Sequence, residues 1–321
     1  PNGYNELFHQ DTYDSPANEV HYWGEPLWGY YHSRDPYIIR KHLELLTTAG
    51  VDFLFFDTTN AWTYAEAVID IMQVIDEMQR EGWAPPKIVF YTHSHSLDTI
   101  RSIYNDIYKK GLYPNTWYRI NGKPVIIGYI TVADDLAEAA VRNDTSYNPQ
   151  PLSSEILNFF TFKMPQWPDE AYRSDGVPWI EFTYPQPMHT NIMNVSAASS
   201  PMLPFSFSLT RGLNNWGRGY NVSTGANNYL DALNTGTFFQ SSWNTVLDAS
   251  VKPEIVTING WNQWVASKTM YDGEYTFCDV ANMEFSADIE MMKGGYGDLY
   301  YQMLAKNIRA YKGNAAGATG Y

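Results

Sequence analysis

Asp57 closes the apolar run 'VDFLFFD', and Glu181 lies inside 'PWIEFTYP', flanked by Trp179 and Phe182. A carboxylate set among apolar residues must face a polar opening or be paired. Glycosidic bond cleavage usually needs one acid to protonate the leaving oxygen and one carboxylate as base or nucleophile. Apolar neighbours raise a carboxyl pKa, which makes Glu181 the expected acid and Asp57 the expected base. Asp57 has a plainer alternative, capping the next helix or accepting from backbone amides at a strand end.

Other residues suit the holding of a polar, ring-shaped ligand. The stretch 'INGWNQWVASK' ends a buried run in Asn259, Trp261, Asn262 and Gln263, and it contains no carboxylate. The segment 'HYWGEPLWGYY' adds His21, Trp23, Glu25 and Trp28, with Glu25 as the reserve carboxylate. His93 and His95 share one strand face by their spacing, yet no Cys or close acid completes a ligand set. No metal is therefore expected, and His93 is read as a hydrogen-bonding residue. Lys163, Tyr184 and Arg211 stand at or after the ends of further apolar runs. Lys163 would pair with a carboxylate or meet an anionic sugar such as a uronate. There is no G-x-S-x-G elbow, no phosphate-binding loop and no dinucleotide fingerprint, so no cofactor is expected.

The elements that must position these residues alternate in type. 'DPYIIRKHLELLTTAG' reads as a helix with Asp35 as N-cap, Pro36 in the first turn and Gly50 at its close. 'VDFLFFDTTN', 'KIVFYTHS', 'GKPVIIGYI', 'ILNFFTFK', 'PWIEFTYP', 'LPFSFSL' and 'EIVTINGW' read as strands. Helices fall at 'TYAEAVIDIMQVIDEMQREG', from about Ser96 to Lys110, at 'DDLAEAAVRN', at 'TFFQSSWNTVLDA', and from about Gly297 to Lys312. In the last, Tyr300, Leu304, Ile308 and Tyr311 share a face. Strands alternating with helices imply parallel pairing. Seven strands and an opening helix predict an α/β chain folded as a (β/α)8 TIM barrel. Its first strand would lie upstream of residue 1, on a cleaved N-terminal fragment if the chain is processed there. One barrel domain is expected over residues 1–313, with a tail at 314–321. In such barrels the site lies at the C-terminal strand ends, which is where the candidates above cluster.

Composition narrows the partners. The chain has 35 acidic and 21 basic side chains among 321 residues, a formal net charge of -14. That balance opposes binding to nucleic acid or anionic membranes, and no apolar run is long enough to span a bilayer. Aromatic residues make up 16 % of the chain, with 25 Tyr and 11 Trp. Their flat apolar faces and polar edges suit a carbohydrate substrate. The single Cys278 forms no internal disulfide, and sequons occur at Asn143, Asn194 and Asn221. A sugar-directed, acidic chain is expected outside the cytoplasm, extracellular or periplasmic.

The motifs 'GVDFLFFDTTN', 'WYRINGKPVIIGY', 'INGWNQW' and 'FSADIEMMKGGYGDLYYQMLAKNIRAYKG' together resemble barrel proteins related to endo-α-mannosidase-type glycoside hydrolases and the WbsX-like group. The resemblance runs from about Trp23 to Gly313. It implies a (β/α)8 barrel, a carbohydrate ligand and, usually, hydrolysis by two glutamates in a last-strand motif N-E-W-x-E. Carried across, those glutamates fall on Gln263 and Ala266, while Asn262 and Trp264 keep the frame. Gln263 can orient a hydroxyl or a water but transfers no proton usefully near neutral pH. Three readings stay open. One is a glycoside hydrolase that uses Asp57 and Glu181 from opposite sides of the barrel mouth, a wide separation that favours inversion. A residue on the absent first strand could replace either of them. The second is a polysaccharide lyase with Tyr or His as base and Lys163 or Arg211 neutralising a uronate. The third is a carbohydrate-binding barrel without catalysis.

Overall fold

The computed structural model describes residues 20–201, 215–271, 274–277 and 280–313. In chain order it begins with β1 (Val20–Tyr22), α1 (Pro36–Ala49), β2 (Phe53–Thr58), α2 (Ala65–Arg80) and β3 (Lys87–Thr92). Next come α3 (Ser96–Ile103), β4 (Arg119–Ile120), β5 (Lys123–Ile127), α4 (Val132–Val141), α5 (Ser154–Phe159) and β6 (Thr161–Gln166). Then follow β7 (Gly176–Pro178), β8 (Ile192–Ser196), α6 (Tyr229–Asn234), α7 (Thr237–Leu247) and β9 (Ile255–Asn259). The chain closes with β10 (Val265–Tyr271), β11 (Glu274–Phe277) and α8 (Leu299–Tyr311). The described residues fall into two compact units, one of them Tyr31–Gln166 with Asp175–Val177. No helix among them is long and apolar enough to cross a membrane.

The unit that starts at Tyr31 holds one sheet in the order β2-β3-β5-β6-β7. The pairs β2–β3, β3–β5 and β5–β6 are parallel. Helix α1 begins as its sequence dictates: Tyr37 N donates to Asp35 Oδ1 at 2.9 Å, and Gly50 takes the left-handed conformation at φ 87°. Such an N-cap stabilises a helix by about 1 kcal/mol. Alternate strand residues Leu54, Phe56, Ile88, Phe90, Ile126 and Phe162 pack with Leu43, Met72, Ile75 and Ile100 of the helices. Each fully buried aliphatic side chain stabilises the unit by roughly 1.5–3 kcal/mol relative to exposure. The 'NG' of 'RINGKP' forms the turn between β4 and β5, with Asn121 at φ 51° and Gly122 at φ 80°. That is the backbone a two-residue hairpin turn requires, so this part of the motif has a structural reason.

The other unit contains the parallel pair β8–β9 and an antiparallel sheet β1-β10-β11. Helix α7 buries Phe238, Phe239, Trp243 and Val246, and α8 buries Tyr300, Leu304 and Ile308. Tyr311, on the same face of α8, donates its hydroxyl to Pro253 O at 2.6 Å.

The chain is thus mixed α/β with parallel strands, but the described strands do not pair into a ring of eight. Pairing stops at β7 and resumes as the separate pair β8–β9. Three sequence expectations change. In 'ILNFFTFK' the first residues are helical, because Ser153 caps α5 through its Oγ and Ile156 N. In 'PWIEFTYP' the strand ends at Pro178, and residues 179–185 are irregular. Their backbone groups bond to side chains: Asn259 Nδ2 donates to Trp179 O, Glu181 N to Asn194 Oδ1, and Ser199 Oγ to Glu181 O. A segment bounded by prolines and satisfied in this way needs no strand ladder. The short run 'IMNVS' is a fully buried strand, β8, that its central Asn disguised. The run 'LPFSFSL' lies outside the described residues.

Candidate active site

Parallel strands β8 and β9 bring Asn194 opposite Thr257 and Ser196 opposite Asn259. Asn194, 1 % exposed, donates through Nδ2 to Asn259 Oδ1 at 2.8 Å and to Thr257 Oγ1 at 3.1 Å. This burial removes its sequon from use in the folded chain. Asn259 in turn donates to Trp179 O at 2.5 Å, and Asn194 Oδ1 accepts from Glu181 N at 3.3 Å. Two side-chain amides therefore fix Glu181 beside the end of β9, from which Trp261, Asn262 and Gln263 continue.

Glu181 is paired. Its Oε1 lies 2.6 Å from His189 Nε2, and the two side chains are 12 % and 1 % exposed. His189 Nδ1 lies 2.6 Å from Arg173 O. A carbonyl only accepts, so Nδ1 carries a hydrogen. The Nε2–Oε1 contact then holds one further proton, resident on the imidazolium or on the carboxylic acid. Burial pushes the His189 pKa down, but the hydrogen bonds to Glu181 and Arg173 outweigh it and leave the value raised. His189 was not singled out in the sequence. Its signal was the Glu-to-His spacing across 'PQPMHTN', which needs the irregular path of 179–185 to bring the two together.

Beneath the loop after β9 lie two buried acids. Asp288 Oδ1 accepts from Gln263 N at 2.7 Å, and Glu290 Oε2 accepts from Trp264 Nε1 at 2.6 Å. Glu290 N also donates to Trp261 O at 2.8 Å. Burial raises the Asp288 pKa against the opposing pull of the Gln263 amide and the Arg218 charge. Arg218 is wholly buried, with its guanidinium 4.5 Å from the Tyr296 ring and 4.4 Å from that of Tyr300. It donates through Nε to Met283 O at 2.8 Å and through Nη2 to Asp288 O. These residues hold the 260–264 loop in place; the exposed groups of that loop are Asn262 and Gln263, with Trp261 half-buried.

The remaining candidates divide by environment. Trp23 is fully buried, stacks on Trp264 at 4.6 Å and donates to Gln263 O at 2.6 Å. It cannot offer a face to a ligand, and its part is to support the loop. Glu25 accepts from Lys293 Nζ at 2.6 Å. Tyr184 packs on Phe238 of α7 at 5.9 Å and lies 3.4 Å from Ser241 O. Arg211 lies outside the described residues.

Asp57, His93 and Lys163 belong to the other unit. Asp57 is exposed at the end of β2, where Oδ1 accepts from Thr59 N at 2.9 Å and from Thr59 Oγ1 at 2.6 Å. Its amide-binding role is thus present, and its exposure leaves it accessible as well. Lys163 is the third residue of β6 and not its end. Register places Asp57 beside Tyr91, Tyr91 beside Ile127 and Ile127 beside Lys163. Asp57 and Lys163 therefore stand three strands apart, their backbones separated by about 14 Å along the sheet. His93 is buried, with Nδ1 3.4 Å from Glu138 Oε1. Glu138 is also held by Arg142 and by Ser94 Oγ at 3.1 Å. His95 stacks on Tyr147 at 4.0 Å and contacts Asp144 Oδ2 at 2.8 Å. Among the described residues no cluster of three or more His, Cys, Asp or Glu could hold a metal ion.

No protein-family model matches the chain, and no curated protein sequence does. Among solved structures, it is similar to the GH99 endo-alpha-mannosidase from Bacteroides thetaiotaomicron. The identity is 14 %, over 91 % of this chain and 84 % of that one, with a TM-score of 0.47. The same enzyme in complex with bis-tris propane gives 15 % identity over 92 % and 90 % of the two chains, at a TM-score of 0.47. A glycoside hydrolase-like protein gives 14 % identity over 91 % of each chain, at a TM-score of 0.49. The likeness to endo-α-mannosidase structures that the motifs imply is thereby met.

Proposed function

We propose that the chain is a glycoside hydrolase acting on a poly- or oligosaccharide, with Glu181 as its general acid. The observation that carries this reading is the 2.6 Å contact between Glu181 and His189, in which Glu181 keeps 12 % of its side chain in solvent. A carboxyl group that shares a proton with a buried imidazole and still reaches the surface is placed to pass that proton to a leaving glycosidic oxygen. His189 then keeps its Nδ1 hydrogen on Arg173 O, and the departing proton leaves a carboxylate beside an imidazole. Asn262 and Gln263 offer amides for sugar hydroxyls, and Trp261 offers part of a ring face. Gln263 and Ala266 replace the glutamates of the related motif, so the acid must come from elsewhere, and Glu181 meets that need.

The test is reducing-end release from a panel of polysaccharides and aryl glycosides. Wild-type protein should release new ends from at least one of them, and Glu181→Gln should abolish release while keeping affinity within a few-fold. Activity in that variant close to wild type would remove Glu181 from the role. Products carrying the ultraviolet chromophore of an unsaturated uronate would replace hydrolysis by elimination.

A further inference from the structure

The loop between β2 and α2 has no part in the scheme above. It reads Thr59-Asn60-Ala61-Trp62-Thr63-Tyr64 and follows directly on Asp57 and Thr58. Trp62 is 69 % exposed, against 42 % for Trp83, the next most exposed Trp among the described residues. Tyr64 is 51 % exposed. An indole left in water forgoes the burial that ordinarily stabilises it, and here that exposure is built into an ordered turn. Trp62 N donates to Asn60 Oδ1 at 3.2 Å, and Asn60 Nδ2 donates to Tyr64 OH at 3.0 Å. Ser94 N ties the loop to the β3 side through Thr59 O at 2.9 Å. Ala61 at φ 66° and Tyr64 at φ 48° occupy the left-handed region, which is costly for a residue as bulky as Tyr. The loop is thus held, at a cost in backbone strain, in a form that turns its aromatic residue outward.

The neighbours decide what such a ring would meet. A protein partner calls for a contiguous apolar patch of several hundred Å². Trp62 instead shares its turn with Asn60, whose Oδ1 accepts from Trp62 N, and with Thr63, and the exposed Asp57 lies five residues before it in the chain. A flat apolar ring exposed on a turn that also carries amide and hydroxyl side chains matches a pyranose, which has an apolar C–H face and a rim of hydroxyls.

We propose that Trp62, with Asn60, forms a subsite for a neutral pyranose ring on the turn that follows β2. The proposal rests on the carbohydrate reading above and adds a second place of contact, in the unit that does not contain Glu181.

The experiment is fluorine NMR of the full chain labelled with 5-fluorotryptophan, the Trp62 resonance being assigned by its loss in Trp62→Phe. Manno-, gluco- and xylo-oligosaccharides are titrated in turn. At least one should move the Trp62 resonance saturably, and Trp62→Ala, with an unchanged far-ultraviolet spectrum, should weaken its binding roughly three- to ten-fold. Asn60→Ala should weaken it as well. Movement of other Trp resonances while Trp62 stays still would overturn this inference and leave the carbohydrate reading intact. Movement of no resonance with any of the sugars would overturn it too. Saturable movement of Trp62, together with wild-type turnover by Glu181→Gln, would sustain the subsite and remove only the acid assignment.

Discussion

The Glu181–His189 contact makes a prediction with a definite sign. His189 has 1 % of its side chain exposed and uses both ring nitrogens, on Arg173 O and on Glu181. Glu181→Gln replaces the carboxylate by a neutral amide that can still donate to an unprotonated Nε2. Burial, the largest influence, still lowers the His189 pKa, and of the interactions that raise it only the weaker one, the bond to Arg173 O, remains. His189 in the variant should titrate below the ordinary histidine value of about 6.5, whereas in the wild type it titrates above it. Long-range proton–nitrogen NMR of the imidazole reads this directly, with His189 assigned by its loss in His189→Asn.

Stability follows the same proton. Folded His189 holds it more tightly than unfolded His189 does, so this contribution is complete below about pH 6.5. It is lost as pH rises through the raised folded value. In magnitude, a hydrogen bond to a charged partner contributes about 1.5–3 kcal/mol, and a neutral one about 0.5–1.5 kcal/mol. Glu181→Gln should therefore cost about 1 kcal/mol in mild acid and less at alkaline pH. Glu181→Ala leaves Nε2 buried and unpartnered and should cost about 1–3 kcal/mol even where His189 is neutral. Urea unfolding followed by near-ultraviolet circular dichroism measures both. Unchanged His189 titration in Glu181→Gln, or equal stability of the Gln and Ala variants, would refute the shared-proton account.

The scaffold under the β9 loop makes further demands. A Cβ at Gly260 would stand 2.9 Å from Asp288 Oδ1, so Gly260→Ala must displace the carboxylate that holds Gln263 N. A loss of about 1–3 kcal/mol is expected, read as a lower melting temperature, and an unchanged one would contradict the packing. Trp23→Ala removes a buried indole stacked on Trp264 and should cost about 3–5 kcal/mol. Glu25→Gln, which breaks only a surface pair with Lys293, should cost less than about 1 kcal/mol. Comparable losses at the two sites in parallel denaturation curves would mean that Trp23 is not the support described.

Much of the unit that starts at Tyr31 was legible because its signals are local. Asp35, Pro36 and Gly50 punctuate α1, and the apolar runs of β2, β3 and β5 are the continuous kind that parallel strands need. The other unit was harder to read, for physical reasons. Its segment around Glu181 satisfies its backbone through Asn194, Asn259 and Ser199, residues 13 to 80 positions from the groups they bond, and no sequence window contains such partners. Asn194 interrupts β8 in the sequence and completes a network in the fold. Trp23 and Trp62 show the same limit in opposite directions. Trp23, in an aromatic-rich segment suited to sugar contact, is wholly buried, while Trp62, in an unremarked turn, is exposed.

Carboxylates are the sharpest case of this. Spacing alone does not separate an acid placed for chemistry from one that holds a loop. Asp288 and Glu290 are buried; Asp288 accepts from the backbone amide of Gln263 and from Ser286 Oγ, and Glu290 accepts from the indole N–H of Trp264. A carboxylate committed to main-chain, hydroxyl and indole donors, away from solvent, serves geometry: it fixes where Asn262 and Gln263 stand. Glu181 differs in both respects, since its partner is a titratable ring and part of its side chain reaches water. A group that must give up a proton and regain it needs a partner able to adjust and a path to solvent, and a scaffolding acid needs neither. That contrast is why we propose Glu181 as the acid although Asp288 and Glu290 lie nearer, in sequence, to the loop after β9.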